Sequence, residues 1–376
     1  MFGLRGNIIF GDTILENWVL VVEDDHIYDI NTEIDTIPIE IFENCYIIPG
    51  FVDIHTHGAV GVDVMDADPQ GILKMAEFLV THGVTSFLPT TTTLDIESTI
   101  KAIKAIEEAR TINKNGAKII GVHLEGPFIN PKYKGAQNEQ FIIEPTREVL
   151  EKLIREDIIR LVTIAPELPG AEEAIKILKE RGINVSMGHS DASYDDSIKG
   201  MISGATQVTH LFNGMRPFHH REPGIIGAAL AEDTIKCQLI ADGIHLHFGT
   251  IRMVFRAKGY KNIILISDSM SATGLSDGNY ELGGLKVSVR SGAPRLPDGK
   301  LAGSTLTLDI AVKNIVTKAH IPLPIVSKTA SKIPAESINE FDIGEFSYGK
   351  KADIVVIDKS FKVIRTYVDG RAIYEA

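Results

Sequence analysis

The sequence predicts an α/β protein built on a (β/α)8 TIM-like barrel, with a small β-sandwich domain formed by both chain ends. Three observations predict it. From residue 49 onward, β-rich runs alternate with segments of helical period, the pattern of parallel βαβ units; those runs number eight; and both flanks lack the alternation. At 376 residues the chain exceeds an ordinary single domain, and a barrel with a small accessory domain accounts for the excess. The expected division places residues 1–48 and 344–376 in the small β-domain and residues 49–343 in the barrel.

The expected barrel strands are FVDIHTH (51–57), GVTSFLPT (83–90), KIIGVHLE (118–125), IRLVTIAP (159–166), INVSMGH (183–189), QVTHLF (207–212), KCQLIAD (236–242) and NIILISD (262–268). Amphipathic helices are expected between them at 70–82, 96–110, 146–156, 171–181, 193–203 and 248–258, and TLDIAVKNIVTKA (307–319) follows the eighth strand. The sixth link is weak, because FHHREPGIIG reads as loop before AALAED. The segment 278–303, GNYELGGLKVSVRSGAPRLPDGKLAG, reads as a hairpin insertion near the barrel mouth. In the flanks, NIIFGDTILENWVLVVEDDHIYDI and GKKADIVVIDKSFKVIRTYVDGRAIYEA alternate strand-like pieces with turns.

Composition narrows the function classes. A hydrophobic fraction of 44% with 23% charged residues supports a sizeable core rather than disorder. A net charge of −12 without a dense Lys/Arg block disfavours nucleic acid and anionic membrane as partners. Cys45 and Cys237 are the two cysteines, too few for a disulfide framework and not a C-x-x-C pair, so a reducing cytoplasm is the expected location. The N-terminal MFGLRGNIIFGD carries Arg5 and Asp12 within a short apolar run, and no 18-residue uncharged stretch follows; neither export signal nor membrane span is expected.

The chemistry gathers at the C-terminal strand ends, the face where barrels of this kind build active sites. In PGFVDIHTHG (49–58), His55 and His57 are two apart and share a strand face. The third strand ends in Glu125, the fifth in His189, the sixth near His210 and the eighth in Asp268. Taken singly, a histidine near a strand end is ordinarily a hydrogen-bonded, half-buried side chain, Glu125 a salt-bridged loop residue and Asp268 a helix cap. Six such residues at one end of five strands make joint metal binding the better reading. Imidazole and carboxylate donors suit Zn²⁺ or Fe²⁺, and a carboxylate can bridge two ions. His26, His82 and His320 stay outside this pattern, His123 reads as packing or support for the site, and His219 and His220 read as solvated loop residues beside Arg221.

PGFVDIHTHG, GVHLEGPFINPKYKGAQN, MGHSDASYDDS, THLFNGM, ADGIHLH, LISDSMSATGL and LAGSTLTLD together resemble the N-acetylglucosamine-6-phosphate deacetylase branch of the amidohydrolase superfamily, in order through about residues 49–310. GEFSYGKKADIVVID is similar to the superfamily's return into its small β-domain. The resemblance implies a metal-dependent amidohydrolase barrel that hydrolyses the acetamide of N-acetylglucosamine 6-phosphate, with one or two divalent ions per subunit, Zn or Fe. It implies that Glu125, His189 and His210 hold the principal ion, that His55 and His57 with Glu125 provide a second position, and that Asp268 is acid and base. By position it assigns Arg221 and His245 to the phosphate, and Ala136, Gln137, Asn213, Gly214, Leu301, Ala302 and Gly303 to the sugar and acetamide. Two positions depart from the common pattern: Gln137 stands where some members have the histidine that polarises the scissile carbonyl, and Gly214 where Ala is frequent, which reads as a minor change. Because the phosphate-binding arginine can come from the neighbouring subunit, a homodimer is expected.

Two rivals remain. Other amidohydrolases, such as D-aminoacylase or dihydroorotase-like enzymes, commonly bridge their metals with a carboxylated lysine, whereas Glu125 fills that place here. A catalytically silent scaffold of the same fold would have lost ligands, and this chain retains all six.

Overall fold

The computed structural model describes residues 1–32, 34 and 36–376; Glu33 and Asp35, in the N-terminal segment expected to be β-structure, lie outside the described residues. Eight parallel strands follow one another in sequence order: Phe51–Thr56, Val84–Thr91, Val122–Glu125, Ile159–Ile164, Asn184–Met187, Gln207–Val208, Lys236–Ile240 and Ile263–Ile266. The ring closes just past the eighth, where Ser269 bridges Thr56 and the Asp268 amide donates to the His55 carbonyl at 2.9 Å. All eight C-terminal ends therefore open onto one mouth. The first three strands are buried at every residue, because the barrel interior is filled and the outer face is covered by helices.

The helices form where apolar stripes and caps coincide. Ala171–Glu180 buries Ala171, Ala174, Ile175, Ile177 and Leu178, a single stripe at helical spacing. Asp68 caps Pro69–Thr81, Asp95 caps Ile96–Ile112, and Ser193 with Asp196 forms a capping box on Tyr194–Ser203. One expectation fails in part: the helix Gly224–Ala231 begins inside the stretch read as loop, at Gly224–Gly227. Its residues GIIGAALA are apolar all round and the first six are buried, so no polar face marks the period. Leu323–Ala330 and Lys332–Glu336 are two further helices beyond the expected set.

The chain ends meet in a seven-stranded sheet ordered Arg371–Glu375, Val363–Val368, Ile354–Ile357, Ile39–Pro49, Phe2–Phe10, Thr13–Glu23 and His26–Asn31. Leu4, Ile8, Leu20, Ile27, Ile47, Ile354 and Val356 form its own apolar cluster. Lys118, at the barrel, reaches Asp353 at 2.8 Å and Asp369 at 2.7 Å and so ties the two parts together. The insertion is a three-stranded antiparallel ribbon, Gly278–Leu282, Leu285–Arg290 and Ala293–Arg295, rather than a simple hairpin.

Candidate active site

Glu125, the last residue of the third strand, is the centre of the cluster. Its Oε1 lies 3.2 Å from His210 Nε2, 3.3 Å from His189 Nε2 and 3.4 Å from His55 Nε2, and its Oε2 lies 3.2 Å from His57 Nε2. His189, His210 and Asp268 follow their strands with φ of 47°, 30° and 50°. Left-handed backbone is uncommon for residues with a Cβ, and its concentration here turns each side chain back over the barrel axis.

The hydrogen bonds behind the rings determine what the rings offer. His57 Nδ1 faces the Thr90 carbonyl at 3.1 Å, His189 Nδ1 the Tyr133 carbonyl at 2.9 Å and His210 Nδ1 the Asn213 carbonyl at 3.0 Å. A carbonyl only accepts, so each Nδ1 carries the proton. For His55 the partner is Gln238 Oε1 at 3.2 Å, and the amide orientation is fixed from below. Gln207 donates to the Ser337 carbonyl at 2.9 Å, so its Oε1 accepts from Gln238 Nε2 at 3.1 Å, which leaves Gln238 Oε1 for His55. With each Nδ1 proton so committed, the four Nε2 atoms converge on a carboxylate, where each can bind a cation or, without one, carry a proton.

That arrangement fits a cation. Glu125 Oε1 is buried without a hydrogen-bond donor, and His55 and His57 place Nε2 atoms 3.2 Å apart. Burial raises the Glu125 carboxyl, but the surrounding imidazoles His55 and His189 bring it well below the usual carboxylate range. Burial likewise raises Asp268, and His55 and His57 draw it down to about 2. Conversely, burial lowers His57, and its contacts with Asp268 and Glu125 raise it to about 10. Two buried carboxylates therefore demand positive charge among the rings. His55, His57 and Glu125 form one group of donors, and Glu125, His189 and His210 a second, each with its atoms within 4.8 Å. Sharing Glu125 gives positions for two divalent ions.

Asp268 stands over the histidine pair, its Oδ1 3.3 Å from His57 Nε2 and 3.5 Å from His55 Nε2. Above it opens a cavity of about 380 Å³, walled by Ala136, Gln137, Asn213, Gly214, His245, Leu301 and Gly303 among others. The volume is that of a small-molecule site. Ala302 is buried behind this wall, its amide bonded to the Pro294 carbonyl. Arg221 is not among the cavity-lining residues; it is exposed and its Nη1 lies 3.0 Å from His220 Nε2. Gly214 is less replaceable than the sequence suggests: with φ +57°, an added Cβ would lie 2.9 Å from His189 Nδ1, so that ring would have to shift.

Other contributors went unread in the sequence. Asp242 accepts from His245 Nδ1 at 2.7 Å and holds that ring at the cavity. Gln207 and Gln238 set the His55 tautomer, and their one sequence signal is a buried-type amide inside an apolar strand run. Lys134 and Lys300 line the mouth but are paired with Glu139 at 3.3 Å and Asp298 at 2.9 Å.

Residues 46–373 match the amidohydrolase family. The chain belongs to the amidohydrolase family. It is 38% identical over 376 residues to an N-acetylglucosamine-6-phosphate deacetylase of Bacillus subtilis, with 96% of this chain and 94% of the relative covered. An N-acetylgalactosamine-6-phosphate deacetylase of Escherichia coli O157:H7 is 35% identical, with 90% of this chain and 91% of the relative covered. Among solved structures, an N-acetylglucosamine-6-phosphate deacetylase from Thermotoga maritima superposes with a TM-score of 0.90 at 34% identity, covering 99% of each chain.

Proposed function

We propose that this amidohydrolase cleaves the acetamide of N-acetyl-D-glucosamine 6-phosphate, releasing acetate and D-glucosamine 6-phosphate, in amino-sugar catabolism and cell-wall recycling. The observation that carries the reading is the Glu125 Oε1 without a hydrogen-bond partner, ringed by imidazole nitrogens at the floor of a sugar-sized cavity. Glu125, His189 and His210 would hold the principal ion, and His55 and His57 with Glu125 a second. Zn²⁺ or Fe²⁺ suits this donor set. A divalent ion in such a site acidifies water and polarises a carbonyl.

The chain's own residues supply the rest. Asp268, kept ionised, accepts the proton of the attacking water as the C–O bond forms, then delivers it to the sugar nitrogen as the C–N bond breaks. Asn213, Leu301 and Gly303 border the space where the sugar and acetyl group would lie. His245, oriented by Asp242, would donate its second ring N–H to phosphate.

Arg221 would complete the phosphate site from a second subunit, which makes the working form a homodimer. The same reading assigns residues 1–48 and 344–376 to a small β-domain and 49–343 to the catalytic barrel, in a cytoplasmic enzyme. No helix is long and apolar enough to cross a membrane among the described residues. The experiment is acetate release by the metal-replete protein from N-acetylglucosamine 6-phosphate, its galactosamine epimer, unphosphorylated N-acetylglucosamine and an N-acetyl-D-amino acid. The first should be turned over with the highest kcat/KM. A metal-loaded protein that hydrolysed only the amino-acid amide would overturn the assignment.

A further inference from the structure

The resemblance sets Gln137 against the substrate, yet both ends of its carboxamide are already engaged. Its Oε1 accepts from the Thr93 backbone N–H at 2.6 Å, and its Nε2 donates to Glu125 Oε2 at 2.8 Å. The amide cannot be turned round, because Thr93 N–H only donates and the ionised Glu125 only accepts. The side chain is 4% exposed. Its neighbours leave little slack: a Cβ at Gly126 would lie 2.0 Å from Thr93 Oγ1.

This contact divides the labour of the two carboxylate oxygens. Oε1 faces His55, His189 and His210 and has no donor, whereas Oε2 is shared between Gln137 and His57. Rotation of the carboxylate about its last bond would move Oε2 away from His57. The Gln137 hydrogen bond opposes that rotation, and Thr93 anchors Gln137 from the far side.

We propose that Gln137 is a positioning residue for the paired-ion site: it clamps the plane of Glu125 so that Oε2 stays directed to the His57 side, and thereby sets the affinity of the His55–His57 position. The inference rests on the proposed metal-binding reading of the cluster. The principal position depends on it less, because His189 and His210 are oriented by the Tyr133 and Asn213 carbonyls, independently of Gln137.

The test uses the full-length protein stripped of metal and titrated with Zn²⁺ against a chromophoric chelator, so that two dissociation constants are read without any turnover. Gln137→Met keeps the length and loses both hydrogen bonds; Gln137→Leu loses them too, with a different side-chain shape, so an effect common to both variants belongs to the hydrogen bonds. In both variants the weaker position should lose affinity by about 10- to 100-fold, the usual effect of removing a hydrogen bond to a metal-ligating group, with the tighter position changed only a few-fold. Wild-type affinity of both positions in Gln137→Leu would overturn the proposal. So would undiminished second-ion binding by Gln137→Met, or equal weakening of both positions in the two variants. Failure of the wild-type protein to take up any ion would remove the metal-binding reading itself, and this inference with it.

Discussion

His189 Nε2 and His210 Nε2 lie 3.1 Å apart, while the Nδ1 atom of each ring is committed to a backbone carbonyl. Glu125 Oε1 lies 3.3 Å from the first and 3.2 Å from the second, so three potential ligand atoms meet at one point. A divalent ion placed there would satisfy all three at once.

Metal removal should therefore cost stability. An ion at 100 times its Kd stabilises the folded chain by about 2.7 kcal/mol, so chelation should lower Tm measurably and re-addition restore it. Glu125→Ala, which removes a ligand of both positions, should strip both ions. His55→Ala or His57→Ala should remove one ion and leave partial activity. Elemental analysis of the purified variants reads this directly; complete loss of metal from the His55 variant would contradict the division into two positions.

Asp268→Asn should leave fold and principal-site metal content intact while lowering kcat by a factor on the order of 10²–10⁴, the usual scale for a lost general acid and base. An amide at that position can still bond the histidines but cannot take a proton from water. Near-normal turnover by a metal-replete variant would exclude Asp268 from the role.

The barrel and the six central residues were legible because their signals are local. Eight β-rich runs stand out between helical segments, and each of the six residues stands at or near the end of one. What stayed hidden depends on three-dimensional neighbours. Gly224–Ala231 has no polar face to mark its helix, and the orienting role of Gln238 exists because Gln207 and Ser337 lie beneath it. Gln137 illustrates the limit: its place in the family resemblance suggested a substrate contact, while its partners, Thr93 and Glu125, are 44 and 12 positions away.

The two cysteines should behave differently toward thiol reagents. Burial pushes the Cys237 thiol up to about 12, with Lys258 a smaller opposing influence. At pH 8 its thiolate fraction is then on the order of 10⁻⁴, and the side chain is out of reach. Cys45 is partly exposed, and burial raises it by less. An aromatic disulfide should label one thiol of the native protein and the second only after unfolding. Equal rates for both in the native protein would contradict the burial of Cys237.

Arg221 offers a test of the subunit arrangement. It is exposed, lies on the segment that carries His219, His220 and the half-exposed Phe218, and does not line the cavity of its own chain. If it serves the neighbouring site, Arg221→Ala should raise KM for the phosphorylated sugar and leave the rate on unphosphorylated N-acetylglucosamine nearly unchanged, since a charged hydrogen bond to phosphate contributes about 1.5–3 kcal/mol. A stronger test mixes two defective chains. Dissociating and reassociating Arg221→Ala with Asp268→Asn yields dimers in which one site collects both defects and the other has none. Half of the dimers are mixed at random pairing, so activity at low substrate should recover to roughly a quarter of wild type. Arginine supplied within its own subunit predicts no such recovery, because every site would then carry a defect. Kinetics of the mixture, with size-exclusion chromatography to verify exchange, decides between the two.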